Sequence, residues 1–253
     1  MGQVNYRQEH GIAIVEIQND GRLNAFTRAM RGDIGTLLTR SNDDPQIIAA
    51  VITGRGEAFC AGQDLNEAAS WNDTTPWVEE FEEFFRALLR FQKPLVAAVN
   101  GVAAGGGFQM SLLCDSRVGH PGTRMGQPEV RRGLASVTGT WLLQRSVGDM
   151  RARELALSGR LMEADELKQL GILNAIVPEG ALMAAAFAMC RQFAECPADS
   201  FARTKKWLYE SLSDEISTVI REACASHRKG FASGVSQACA ARFLRSNQAR
   251  TSH

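Results

Sequence analysis

Two stretches of small residues carry the clearest sign of chemistry in this chain. They are Ala58-Phe59-Cys60-Ala61-Gly62-Gln63-Asp64-Leu65 and Asn100-Gly101-Val102-Ala103-Ala104-Gly105-Gly106-Gly107-Phe108-Gln109. Each is a turn leading from an apolar, strand-like run into a helix. Glycine lets another group approach the backbone closely. A helix start leaves several backbone N–H groups without partners. Two such turns facing each other could aim two N–H groups at one oxygen and stabilise the charge that develops there. Taken singly, each turn has a plain structural reading. The glycine triplet lacks the Lys-Ser/Thr of a phosphate loop, and G-x-G-x-x-G is absent.

Glu129 is the candidate proton-transfer group, with Pro128 setting the backbone just before it. A glutamate usually stays solvated on the surface. A partly desolvated one would have its pKa raised and be a better base when ionised. Gln109 lies twenty residues earlier. An amide there can orient water but cannot take or give a proton near neutral pH. Asp64 reads as a helix cap or a loop-orienting group, and the Gln63 side chain as a solvated loop amide. Arg131, Arg132, Lys205 and Lys206 could meet phosphates, or could simply be solvated. His120 and His227 read as structural. Cys60, beside the first turn, reads as core packing with a possible sensitivity to alkylation.

Elements that could position these groups follow from hydrophobic spacing. Ile12, Ile14 and Ile17 mark a strand. Thr27 is a helix N-cap, with the helix running to about 42. The near-continuous apolar runs 47–53 and 94–100 predict strands buried on both faces. Val78, Phe81, Phe84, Phe85 and Leu88 recur at helical spacing within 76–91. After the glycine turn a helix is expected to about 113, then a short strand at 117–120. Helices follow at 139–146, 149–157 and 163–169, a strand at 173–177 and a helix at 179–194. Beyond Pro197 no strand-like run occurs, and 198–212 and 214–245 read as helices. Strands alternating with helices, then helices alone, predict an α/β core (1–197) with a helical appendage (198–253).

Composition narrows the class. Twenty-eight basic residues balance 28 acidic ones, so nothing suggests a nucleic-acid partner. The six cysteines form no C-x-x-C pair, and the four histidines show no metal-ligand spacing. Met1 to Gly11 is polar, and no apolar run is long enough for a membrane span. These features point to a cytoplasmic protein with reduced thiols, no metal and no membrane partner.

The two turns as a pair resemble the signature of the crotonase superfamily, the enoyl-CoA hydratase/isomerase family. Leu23-Asn24-Ala25 resembles its early CoA-contacting loop. Lys93-Pro94 precedes the second turn as is usual there, Gly126-Gln127-Pro128-Glu129 is similar to its active-site acid motif, and Gly159 to Gly171 matches a further stretch. The resemblance implies a spiral of ββα units followed by helices that assemble trimers or hexamers. It implies an acyl-CoA substrate, the CoA thioester itself, with no further cofactor. It implies that the N–H groups of Gln63 and Gly106 hold the thioester oxygen of an enolate and that Glu129 is catalytic. Ala25, Ala61, Asp64, Leu65, Gly105 and Gln109 would line the acyl-CoA site. Two-acid hydratases of the family carry a second glutamate where this chain has Gln109. Single-acid members resemble enoyl-CoA isomerases, so the expectation leans to isomerase. A hydratase, or a catalytically weak acyl-CoA-binding protein, is the alternative. Residues 134–139 offer no acid, which argues against a dehalogenase.

Overall fold

From residue 49 to residue 126 longer and shorter strands alternate along the chain, and the strands sort into two sheets. The computed structural model describes residues 2–64, 66–67, 75–235 and 238–239. Strands β1 (Gln3–Glu9), β2 (Ile12–Gln18), β3 (Ala49–Gly54), β5 (Leu95–Val99), β7 (Ser116–Gly119) and β10 (Ala175–Ile176) form a six-stranded sheet in the order β1-β2-β3-β5-β7-β10. All its pairs are parallel except β1 with β2. The short strands β4 (Ala58–Cys60), β6 (Val102–Ala104), β8 (Arg124–Gly126) and β9 (Leu161–Glu163) form a second sheet in the order β4-β6-β8-β9. Each long strand β3, β5 and β7 is followed by its short partner and then by a turn. The chain thus climbs in repeated two-strand steps.

The long strands form because their residues are buried on both faces. Every residue of β3 and β5 is buried. One face packs on a core that includes Phe26, Ile34, Leu38, Phe84, Phe85 and Leu88. On the other face, Ala49, Val51, Val96, Ala98 and Val118 meet Leu182, Ala186 and Cys190 of helix Leu182–Ala194. Thr27 caps helix Arg28–Asp43, its hydroxyl accepting from the Met30 N–H at 3.3 Å. The helices expected at 76–91, 139–146, 149–157 and 163–169 are Thr75–Arg90, Val137–Val147, Asp149–Ser158 and Ala164–Gln169. The tail forms helices Ala198–Glu210 and Ser213–Ala232, with Ile216, Ile220 and Cys224 buried in the main core. The second is shorter than the span 214–245, because a turn with Gly234 at φ 71° follows it. The remainder of that span lies largely outside the described residues.

Two kinds of element depart from the sequence reading. The polar segment at the start is strand β1, an edge strand whose exposed side chains leave no apolar pattern. The strands of the small sheet are too short for periodicity to reveal. Asn100 ties the two sheets together. Its Oδ1 accepts from the Gly54 N–H at 3.0 Å, and its Nδ2 donates to the Gly56 and Ala58 carbonyls at 2.7 and 3.1 Å. No helix among the described residues is long and apolar enough to cross a membrane.

Candidate active site

Strands β4, β6 and β8 run parallel and adjacent, so the turns at their carboxyl ends line up in space. Neighbouring strands lie ~4.8 Å apart, which brings Ala61 to Gln63, Gly105 to Gly106 and Gln127 to Glu129 side by side. Ligands of parallel sheets bind off such carboxyl ends.

Two glycines record how closely the turns meet. Gly62 has φ 92°, and a Cβ there would lie 2.8 Å from the Ala104 carbonyl oxygen and 3.2 Å from the Gly106 nitrogen. Gly105 has φ 54°, and its Cβ would lie 2.9 Å from Glu129 Oε1. Only glycine fits either position. The early loop closes on the first turn: Phe26 N–H donates to Gly62 O (2.9 Å), Asp64 N–H donates to Phe26 O (3.0 Å), and Ala61 N–H donates to Leu23 O (3.0 Å). Because the flanking residues make this bridge, the Gln63 N–H is turned away from Phe26. Gly106 is the first residue of helix Gly106–Leu112, so its N–H finds no acceptor within that helix.

Glu129 stands in the 3-10 turn Pro128–Arg132, with its carboxyl facing the Gly105 turn. Gln109 Nε2 donates to Glu129 Oε1 at 3.1 Å and to Gln127 Oε1 at 3.1 Å. Thr138 Oγ1 donates to Gln109 Oε1 at 3.1 Å, and Ser136 Oγ to Gln127 Oε1 at 3.3 Å. Burial raises the Glu129 pKa from its ordinary value to about 7, against the opposite pull of hydrogen bonds from its own backbone, Gln109 and Ser136. A carboxyl poised there can work as base or acid near neutrality.

The other candidates sort cleanly. Ala25 is buried beside the first turn, its carbonyl held by Asn19 Nδ2 at 2.7 Å. Asp64 is structural: buried, it accepts from Arg22 Nη1 (3.2 Å) and the Asn66 N–H (2.8 Å). Leu65 lies outside the described residues. The Gln63 side chain is not a solvated amide. It accepts from Arg31 Nη1 and donates to Glu67 Oε2 at 2.8 Å. Lys205 is neither solvated nor available to phosphate, because it is buried with its Nζ 2.6 Å from Asp115 Oδ2. Cys60 is fully buried and its thiol is pushed up to about 12 by desolvation, so it is packing and not an alkylation target.

Two residues without a role in the sequence reading join the site. Arg31 is buried on helix Arg28–Asp43, its guanidinium over the rings of Phe26 (5.6 Å) and Phe81 (5.2 Å), and burial lowers its pKa to about 10. Its place on the apolar face of the helix, in step with Ile34 and Leu38, was the available signal. Gln127 was visible only as part of a motif.

Comparison with known proteins places the chain in a family. The family described as Enoyl-CoA hydratase/isomerase matches the chain over residues 7–250. The chain is similar to a mevalonyl-coenzyme A hydratase, sidH, of Aspergillus fumigatus, with 35% identity over 204 residues, covering 78% of this chain and 74% of that protein. It is similar also to a putative enoyl-CoA hydratase of Thermus thermophilus, with 36% identity over 204 residues, covering 78% of this chain and 80% of that one. Among solved structures, an enoyl-CoA hydratase/isomerase from Pseudoalteromonas atlantica superposes with a TM-score of 0.87 at 26% identity, covering 96% of this chain and 97% of that one.

Proposed function

The chain belongs to the enoyl-CoA hydratase/isomerase family of the crotonase superfamily, and from that premise we propose that it shifts the double bond of an enoyl-CoA thioester through an enolate. The thioester oxygen lies against the N–H groups of Gln63 and Gly106, which take up the charge as the enolate forms. Glu129 removes a proton from one carbon of the acyl chain and returns it to another. The CoA thioester is the substrate, and this chemistry calls on no further group.

The observation that carries this reading is the single carboxyl. Glu129 is the only acid among Gln109, Gln127, Ser136 and Thr138, the polar side chains joined to it by hydrogen bonds. A lone carboxyl completes a proton shuttle between two carbons unaided. Addition of water is eased by a second acid that shares the water with the first, and Gln109 cannot supply that proton transfer. The hydratase names of the similar proteins favour a second reading, in which Gln109 orients a water that adds under Glu129 alone.

Rates of 2-enoyl-CoA hydration and 3-enoyl-CoA double-bond shift separate the two. The shift is expected to be faster in the parent protein, and Gln109→Glu is expected to raise the ratio of hydration to shift. Two carboxyls so close would couple, keeping one protonated as an acid. A parent that hydrates faster than it isomerises establishes the second reading instead.

The helical tail supports a trimer, or a hexamer of paired trimers. Trp207 and Leu208 are 74% and 58% exposed on helix Ala198–Glu210, apolar surface that a second copy would cover. Sedimentation at micromolar concentration is expected to give a species of three or six chains, and a monomer would refute the assembly.

A further inference from the structure

The Gln63 side chain is held on both sides of its amide. Its Oε1 accepts from Arg31 Nη1, and its Nε2 donates to Glu67 Oε2 at 2.8 Å. A guanidinium only donates and a carboxylate only accepts, so one orientation of the amide serves both. Glu67 in turn accepts the Arg28 N–H with its two carboxylate oxygens, at 3.1 and 3.0 Å. Arg28 begins the helix Arg28–Asp43, which also carries Arg31. The contacts therefore close a ring from Arg31 through Gln63 and Glu67 to the Arg28 N–H, and back along the helix to Arg31.

Arg31 is the member of this ring that packing does not explain. It is 1% exposed, and its Nε and Nη2 have no hydrogen-bond acceptor. Glu80 Oε2 stands 3.9 Å from Nη2, but Arg28 Nε already donates to that oxygen at 2.7 Å. Burial lowers the Arg31 pKa only to about 10, so the group is a cation near neutrality. A charge is costly to bury unless it is fully paired. An apolar side chain, like those of Ile34 and Leu38 on the same face, would fill the space without that cost. Gln63 Oε1 is the one acceptor that the guanidinium reaches among the described residues. With water excluded, this charge-assisted bond is a strong one.

The same guanidinium reaches the second donor through two rings. It lies over Phe26 at 5.6 Å and over Phe81 at 5.2 Å. Those rings also abut Gly106, where a Cβ would lie 2.8 Å from Phe26 Cζ and 3.5 Å from Phe81 Cζ. Arg31 thus meets Gln63 directly and Gly106 across a single layer of aromatic side chains.

We propose that Arg31 is a positioning residue that braces both oxyanion donors, fixing the Gln63 peptide through its side chain and the Gly106 turn through the Phe26 and Phe81 rings. The bridge to Phe26 holds the main chain on either side of Gln63, and the clamped amide holds Gln63 itself. The two N–H groups then keep one common target as charge develops on the thioester oxygen. This deepens the proposed enolate chemistry and rests on those two donors holding that oxygen.

The test pairs kinetics with the 13C signal of butanoyl-CoA labelled at the thioester carbonyl, a saturated probe with no double bond to shift. Donors aimed at the oxygen draw electrons from the carbon, so the parent should move the bound signal downfield. Arg31→Met and Gln63→Met each cut the clamp at one end and leave both main-chain N–H groups in place. Each is expected to lower kcat by about 10- to 10²-fold with KM nearly unchanged, as a small misplacement of a catalytic group does, and to shrink the downfield displacement. Because both act at one contact, the double variant should lose no more than the worse single one, whereas independent roles would multiply the losses. Each single variant leaves a buried polar group without its partner. The double variant removes both groups, so it should fold most readily and decides alone if the single ones do not fold. A role confined to packing would lower stability and leave kcat and the displacement at the parent's values. Parent-like kcat or full displacement in the double variant overturns the proposal, as do multiplied losses. A parent that displaces the signal, loses that displacement in the variants and is inert toward enoyl-CoA would sink the proposed function and leave the brace standing.

Discussion

Glu129→Gln is expected to lower kcat for enoyl-CoA turnover by at least about 10²-fold, the lower end for general acid–base catalysis, while leaving CoA-ester affinity nearly unchanged. The amide keeps the size and polarity of the side chain, so the Gly105 turn and Gln109 still have a partner. It cannot carry the proton. The parent should show a rising pH–rate limb near 7, because the carboxylate is the base and burial holds its pKa at about 7. The same burial links this group to stability. Its folded-state pKa lies above the ordinary value of 4.5, so folding favours the neutral carboxyl. That contribution is fully present below the unfolded value and is lost as the pH climbs through about 7. The variant stays neutral throughout. Its Tm should therefore exceed the parent's at pH 8, by more than any difference at pH 5. Equal turnover in the two proteins would remove Glu129 from the chemistry.

Gly62→Ala is expected to cost about 10²- to 10³-fold in kcat, the range for losing one donor of an oxyanion hole. At φ 92° an L side chain is strained, and the new methyl would press on the Ala104 carbonyl at 2.8 Å and the Gly106 nitrogen at 3.2 Å. Neither is a flexible tip that can move aside, so the turns must separate. Backbone strain of this kind is worth about 1–3 kcal/mol. Urea unfolding should detect that loss, yet leave a folded protein in which kcat can be measured. A variant that folds and turns over at the parent rate would show that the spacing of the two turns does not govern catalysis.

How much of this could be read from residue order depended on element length. Buried strands such as Ala49–Gly54 and Leu95–Val99 announce themselves as apolar runs, and Thr27 marks its helix start through a hydroxyl that finds the Met30 N–H. Three-residue strands have no period to detect, so the small sheet that aligns the three turns was invisible although each turn was not. Strand β1 was hidden because an edge strand need not be apolar. At the site, Gly62, Gly105, Gly106 and Glu129 were legible because the two turns and the motif from Gly126 to Glu129 together resemble a family signature, although each alone has an ordinary structural reading. Arg31 left only its step with Ile34 and Leu38 on the helix, which does not reveal a guanidinium buried between Phe26 and Phe81. Lys205 misled in the same way, since its partner Asp115 is ninety residues away.

Deuterium exchange tests the central claim most directly, that Glu129 and the paired turns remove a proton from an acyl-CoA carbon. The protein is incubated with a 3-enoyl-CoA in deuterium oxide and the acyl chain followed by NMR. The account predicts deuterium at the α and γ carbons at a rate at least about 10²-fold above that with Glu129→Gln. Equal exchange with the parent and the variant, or neither exchange nor double-bond shift with the parent, would contradict it.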